Sequence, residues 1–155
     1  VDPHDDQTRP VEKRLTTLAH DARYLPETSS AENLRDVADA SMDGAALFFV
    51  LHNIEAERHD GVMKELMRVL KTDGRLFVAE DLVQDETERE NAEKIDRRLN
   101  LDYVKDVPKT FKSEPEWNEF FRTHGFDVET SHEEKSEKVR HGFFVLKKIT
   151  RESLE

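Results

Sequence analysis

The chain of 155 residues contains no cysteine, only five glycines and five prolines, and no long apolar run. The lack of cysteine excludes disulfides and thiolate metal ligands within this chain. No stretch approaches the ~20 apolar residues that a membrane-spanning helix requires. The first residues are polar and lack the apolar core of a secretory signal, so the sequence predicts a cytoplasmic protein without a membrane span.

The chain is instead rich in charge, and its formal net charge is −11. Nucleic-acid binding depends on cations that displace the counterions of phosphates, so an acidic chain disfavours a nucleic-acid partner. A basic cluster near the end is expected to flank a strand; it comprises Lys138, Arg140, Lys147, Lys148 and Arg151. The histidines beside acidic residues, at His4 and His132, lack a spacing that brings three ligands together, and we predict no metal site.

The middle of the chain predicts a βαβ unit. Residues 45–51 form a continuous apolar run, which is typical of a strand buried on both faces. Apolar residues then recur at helical spacing over residues 62–70, and Asp73-Gly74 is expected to end that helix. A second apolar run over residues 75–80 predicts a strand that lies parallel to the first.

The rest of the chain predicts further helices and strands. Ser113 and Glu116 match a capping box, and the helix that they begin is expected to stop at His124-Gly125. The other predicted elements are a possible strand over 14–19, a possible short helix over 33–40, a helix over 84–101, a loop or lid over 102–112, and an antiparallel strand pair over 126–131 and 142–149 joined by a polar loop over 132–140.

Four short segments resemble class I methyltransferases, which use S-adenosylmethionine. Residues 21–26, DARYLP, are similar to the family's D-A-x-x-L-P, and residues 43–54 are similar to its D-x-x-x-x-x-x-V-L-H-x-I. Residues 66–76, LMRVLKTDGRL, are close to R-V-L-K-P-G-G-x-L, and Gly125-Phe126 matches a late G-F. The resemblance implies the later part of an α/β, Rossmann-like domain: a mostly parallel sheet with helices on both faces, an antiparallel strand pair at the C-terminal edge, and an incomplete N-terminus.

The resemblance also implies cofactor-binding residues in the first part of the chain. Asp21 and Ala22 correspond to the family's pair that brackets the adenine amino group; alternatively, Asp21 caps a turn. Asp2 corresponds to the acidic residue that accepts both ribose hydroxyls. The chain between Asp2 and Arg14 is short for the usual helix between those strands, so either that helix is reduced or the Asp2 assignment is wrong.

The resemblance also implies that residues at and just after the end of the strand predicted over 45–51 line the sites of the sulfonium and the methyl acceptor. These are Leu51, His52 and Asn53, and Glu80-Asp81 lies at the matching end of the second strand. His52 is the candidate general base, because a histidine titrates near neutral pH. The alternative is that His52 is a loop residue bound to the backbone.

One motif of the family is missing, because no G-x-G-x-G occurs and the five glycines stand far apart. Three explanations remain: a fragment of a longer protein, a site completed by a partner chain, or a degenerate domain kept for binding. We therefore expect residues 1–153 to form a methyltransferase-like domain and Leu154-Glu155 to be a vector remnant. The expected activity is methyl transfer from S-adenosylmethionine to a small molecule, and the alternative is a non-catalytic binding module. Apolar surface left where the first strand should lie predicts self-association.

Overall fold

The computed structural model describes residues 30–99 and 108–149. In these two ranges the strands are β1 (Met42–Phe48), β2 (Leu70–Asp81), β3 (Phe126–Lys135) and β4 (Arg140–Lys148), and the α-helices are α1 (Ala56–Val69), α2 (Glu86–Leu99) and α3 (Glu114–Thr123). The strands form one sheet in the order β1-β2-β4-β3. No helix within the described residues is long and apolar enough to cross a membrane.

The central βαβ unit is confirmed, although β1 is largely exposed and is not buried on both faces as expected. Strands β1 and β2 pair in parallel, with Ala45 opposite Leu76 and Phe48 opposite Ala79, and α1 connects them. The carboxyl ends of the two strands therefore lie side by side at one edge of the sheet, which is where open α/β sheets place their ligands.

The predicted antiparallel pair, which is formed by β3 and β4, is also confirmed. Strand β4 runs antiparallel to both β2 and β3, so β1, β2 and β3 share one direction and β4 alone is reversed. A mostly parallel sheet was expected, and three of the four described strands do share one direction. Because β4 lies between two strands of the shared direction, however, two of the three pairings within the described residues are antiparallel.

Helices cover one face of the sheet. Side chains alternate between faces along a strand, and one face of β2 and β4 contributes Leu76, Val78, Phe144 and Leu146 to the main core. The helices add Val62, Met63, Leu66, Trp117 and Phe121 to that same core. The opposite face leaves Phe48, Phe77 and Phe143 exposed by 60%, 43% and 39%, and none of the three belongs to a core cluster. Helices were expected on both faces; the described ones contribute to this core on one face only.

The boundaries of the βαβ unit differ from the prediction. The first strand stops at Phe48 because Phe49 turns into the left-handed region with φ 58°. Helix α1 ends at Val69 rather than at Asp73-Gly74, since β2 already begins at Leu70. Asp73 takes the positive φ, 62°, whereas Gly74 is needed for space: a Cβ there would lie 2.9 Å from the carbonyl oxygen of Lys71.

Two other expectations need correction. Residues 33–40 form turns instead of a short helix, and Arg68 holds them by donating to the carbonyl oxygens of Leu34 and Val37 at 2.9 and 2.8 Å. The polar residues 132–140 are largely strand, and only 136–139 form the turn between β3 and β4. The helices predicted over 84–101 and from Ser113 are confirmed, with the Ser113 amide donating to Glu116 at 2.7 Å. The possible strand over 14–19 and most of the predicted lid lie outside the described residues.

Candidate functional site

The candidate site forms at the paired carboxyl ends of β1 and β2. After Phe48 the chain turns at Phe49, whose amide donates to the carbonyl oxygen of Ala79 at 2.7 Å. A single 3-10 turn, Leu51–Asn53, follows directly and is held against the end of β2. This turn places the three residues that the sequence nominated beside Glu80 and Asp81.

Glu80 is the buried anchor of this turn. Its side chain is fully buried, and its Oε1 accepts from the amides of Val50 and Leu51 at 3.0 and 2.7 Å. Its Oε2 accepts from the amide of His52 at 3.3 Å and lies 2.5 Å from His52 Nδ1. One carboxylate thus satisfies three backbone donors and one ring nitrogen, which offsets the cost of its burial.

His52 is held in a defined state by its neighbours. With Nδ1 donating to Glu80, Nε2 is the acceptor, and the Asn53 side-chain amide lies 2.9 Å from it. Burial alone disfavours the imidazolium, but the hydrogen bond and charge of Glu80, helped by Asp81 and Asp96, outweigh it and raise the pKa of His52. The ring of Phe111 stacks on the imidazole at 4.9 Å and shields it.

Residues 109–111 close the site from the other side. Lys109 Nζ lies 3.0 Å from Asp96 Oδ2 and also donates to the side-chain oxygen of Asn53. Thr110 donates its hydroxyl to the carbonyl oxygen of Leu51 at 3.0 Å, and its amide donates to the carbonyl oxygen of His52 at 2.9 Å. These contacts tie the turn to a segment more than fifty residues further along the chain.

A cleft of about 540 Å³ opens beside this turn. Its polar lining consists of His52, Asn53, Asp81, Asp96 and His141, and its apolar lining consists of Phe49, Ile95, Leu99 and Val139. The volume lies within the range of roughly 300–1,000 Å³ that is typical of small-molecule sites. Mostly apolar walls with a few acidic and imidazole groups suit a small ligand with a cationic part.

The structure brings together some of the nominated residues. His52 and Asn53 line the cleft, whereas Leu51 is fully buried in the main core and supports the turn from below. The alternative for His52 was a loop residue bound to the backbone, but its ring nitrogens contact the side chains of Glu80 and Asn53 instead. Asp2, Asp21 and Ala22 lie outside the described residues.

Several residues of the site were not nominated from the sequence. Asp96 and Lys109 come from a helix and a loop whose positions depend on tertiary packing, so no local pattern marks them. His141 lies opposite Asp81 in the pairing of β2 with β4. The sequence signal that could have nominated His141 is a histidine just before the apolar run of β4.

Residues 2–78 match the family described as "Methyltransferase domain". No curated protein sequence is significantly similar to the chain. Solved structures match the fold well. The YcgJ protein of Bacillus subtilis gives a TM-score of 0.71 at 13% identity over 96% of this chain and 81% of that one. A SAM-dependent methyltransferase of Methanosarcina mazei gives 0.62 at 16% identity over 92% and 79%.

A third similar structure contains bound ligands. It is the 1,6-didemethyltoxoflavin-N1-methyltransferase of Burkholderia thailandensis, with bound 1,6-didemethyltoxoflavin and S-adenosylhomocysteine. The TM-score is 0.68 at 13% identity over 92% of this chain, which spans 57% of the length of that enzyme. At such identities the likeness shows the fold alone.

Proposed function

We propose that the chain, whose residues 2–78 match the family described as "Methyltransferase domain" and whose fold is that of Rossmann-like methyltransferases, takes part in methyl transfer from S-adenosylmethionine to a small-molecule acceptor. The observation that carries this proposal is the cleft of about 540 Å³ at the paired carboxyl ends of β1 and β2, lined by His52, Asn53 and Asp81. This is the edge at which open α/β sheets bind ligands.

The described part of the site fits S-adenosylmethionine, the cofactor of the family. When bound, the cofactor supplies a methyl group on a positively charged sulfonium. Asp81 and Asp96 line the cleft as carboxylates that would face the sulfonium, Asp96 while paired with Lys109, and Phe49 gives the cleft an apolar wall. Asp2, Asp21 and Ala22 remain the proposed contacts to the ribose and the adenine.

The chain's own contribution is chiefly alignment and shielding from water. Holding two reactants in a near-attack geometry lowers the barrier by removing translational and rotational freedom in advance. The Glu80 carboxylate fixes the turn at Leu51–Asn53, and Phe111 covers the His52 ring. Proton removal by His52 stays part of the proposal, although it requires Asn53 to release the Nε2 atom.

Calorimetric titration of the chain with S-adenosylmethionine tests the proposal. We expect a dissociation constant in the micromolar range. Asn53→Ala removes the contacts to His52 and Lys109 and should weaken binding about 10-fold, which corresponds to ~1.4 kcal/mol. His132→Gln changes an exposed histidine outside the cleft and should leave the affinity unchanged. Absence of binding at millimolar cofactor would contradict the proposal for this chain alone.

A second function is favoured by the exposed aromatic face. Phe48, Phe77 and Phe143 lie on the sheet face opposite the main core, and a non-catalytic module would use such a surface to bind a partner chain. The same titration separates the two functions, since a binding module has no need of the cofactor. Self-association through this face is compatible with either function.

A further inference from the structure

Two histidines line the cleft, and they differ in accessibility. His52 is 1% exposed, lies under Phe111, and has Glu80 and Asn53 beside its two ring nitrogens. The side chain of His141, near the start of β4, is 32% exposed. Within the described residues, no group hydrogen-bonds to its Nε2. His141 is therefore the imidazole that a ligand in the cleft can reach without first displacing a protein group.

His141 has a carboxylate of its own. It lies opposite Asp81 in the β2–β4 pairing, and its buried Nδ1 is 2.8 Å from Asp81 Oδ1. The two atoms do not form a hydrogen bond, so Asp81 acts on the ring as a nearby negative charge. Glu80 and Asp81 are neighbours on β2 and alternate between faces, so each serves a different histidine.

The walls around His141 suit a flat, apolar ligand. The Phe49 ring meets the imidazole edge to face at 5.3 Å and 75°. Ile95, Leu99 and Val139 add apolar lining to the same cleft. An aromatic ring is the body that such walls accept best, because aromatic pairs favour edge-to-face and offset contacts.

We propose that the methyl acceptor is a small hydroxylated aromatic compound and that His141 takes the proton of its hydroxyl group. This inference rests on the proposed function, adds the acceptor class, and assigns proton removal to His141 in place of His52. The O–H bond breaks, its electron pair stays on oxygen, and the proton forms an N–H bond at His141 Nε2. A neutral phenol and a neutral imidazole become a phenolate and an imidazolium, and Asp81 stabilises the new positive charge. The phenolate is the stronger nucleophile towards the methyl group.

The test uses 4-nitrophenol, whose phenolate absorbs at a longer wavelength than the phenol, with the full chain. At a pH where the free compound is mostly protonated, binding to the wild-type chain should raise the phenolate band. His141→Gln should still bind 4-nitrophenol, but with most of the phenolate band lost, and Asp81→Asn should reduce the band in part. The matched control is His132→Gln, another histidine beside a carboxylate, which lies on β3 outside the cleft and should behave like wild type.

Two outcomes would overturn the inference: a phenolate band of equal size in His141→Gln and wild type, or no binding of 4-nitrophenol by the wild-type chain. Circular dichroism checks that both variants are folded. If His141→Gln is unfolded, the phenolate band of Asp81→Asn tests the inference instead. Calorimetric titration with S-adenosylmethionine measures cofactor binding, which does not depend on His141. A failure of the proposed function is therefore distinguished from a failure of this inference. With a phenol that the chain methylates, His141→Gln should lower kcat about 100-fold, a typical loss for general-base catalysis.

Discussion

At the scale of single residues, Glu80 determines the shape of the site. Its fully buried carboxylate accepts from the amides of Val50, Leu51 and His52 and pairs with the imidazole of His52. Removing one partner from a buried charged pair leaves the other uncompensated, which is more costly than losing an exposed ion pair. The turn that carries His52 and Asn53 therefore depends on one side chain from the neighbouring strand.

Glu80→Gln should lower the free energy of unfolding by about 3 kcal/mol, measured by urea denaturation at pH 6. The raised pKa of His52 means that its pair with Glu80 stabilises the fold fully below about 6.5, and that this part is lost as pH rises through the folded-state pKa. The difference between wild type and variant should therefore shrink above that pH.

Glu129→Gln is the control for this substitution. Glu129 pairs with Arg75 on the surface at 2.8 Å, and the Arg75 side chain is 46% exposed, so the change should cost far less stability than Glu80→Gln. Equal losses in the two variants would show that Glu80 does not anchor the turn.

The sequence identified part of this arrangement. His52, Asn53 and Glu80-Asp81 could be predicted to share an edge, because parallel strands joined by a helix end on the same side of the sheet. Which ring nitrogen faces which partner depends on the positive φ of Phe49 and on the packing of Phe111. Neither feature leaves a periodic pattern, so neither could be predicted.

At the scale of elements, an ion-pair network links α2 to the β3–β4 hairpin. Glu88 in α2 accepts from Arg140 Nη2 and Nε at 3.0 and 3.2 Å, and Arg140 also binds Glu133. Arg140 is 8% exposed, so the network is partly sheltered from solvent. Because Ile95 and Asp96 lie two turns further along α2, this link positions one wall of the cleft.

Glu88→Gln should destabilise the chain by about 2 kcal/mol at neutral pH, since hydrogen bonds to charged groups are worth roughly 1.5–3 kcal/mol. The Arg140 hydrogen bonds, against the effect of burial, lower the pKa of Glu88 from 4.5 to about 2. Its contribution is therefore present above pH 4.5 and lost as pH falls through about 2. Urea denaturation at several pH values measures this loss, which the variant should lack.

The control on the same helix is Glu90→Gln, because within residues 30–99 and 108–149 Glu90 makes only a long, exposed contact with Lys94 at 3.5 Å. It should change stability by less than about 0.5 kcal/mol. A Glu88→Gln variant as stable as this control would mean that the network does not hold α2 in place.

Element types were more predictable than element ends. The helical periodicity identified α1, α2 and α3, whereas continuous apolar runs identified β1 and β2 and strand-like runs identified β3 and β4. The predicted end of α1 was wrong because Asp73-Gly74 lies within β2, where Asp73 rather than Gly74 adopts the left-handed conformation. The hairpin was misjudged because the charged residues of β3 lie on an exposed edge strand and do not show an apolar alternation.

At the scale of the whole molecule, the sheet has one face covered by helices and one face of exposed aromatic rings. The rows Phe48–Ala79–Phe143 and Ala46–Phe77–Val145 run across β1, β2 and β4 on the uncovered face. Contiguous exposed apolar surface of this kind favours association with another chain or with a second copy. The neighbouring residues Phe143 and Phe144 on β4 allow the two faces to be compared at one position, because they are 39% and 2% exposed.

Phe143→Gln should therefore change self-association, whereas Phe144→Gln should change the free energy of unfolding. Phe143→Gln should reduce concentration-dependent self-association, measured by size-exclusion chromatography with light scattering, and should change the free energy of unfolding by less than about 0.5 kcal/mol. Phe144→Gln removes a ring packed against Phe121 at 5.3 Å and places a polar group in the core, so it should cost about 3–5 kcal/mol. If Phe143→Gln cost as much as Phe144→Gln, the aromatic face would be buried within the chain itself and could not be its association surface.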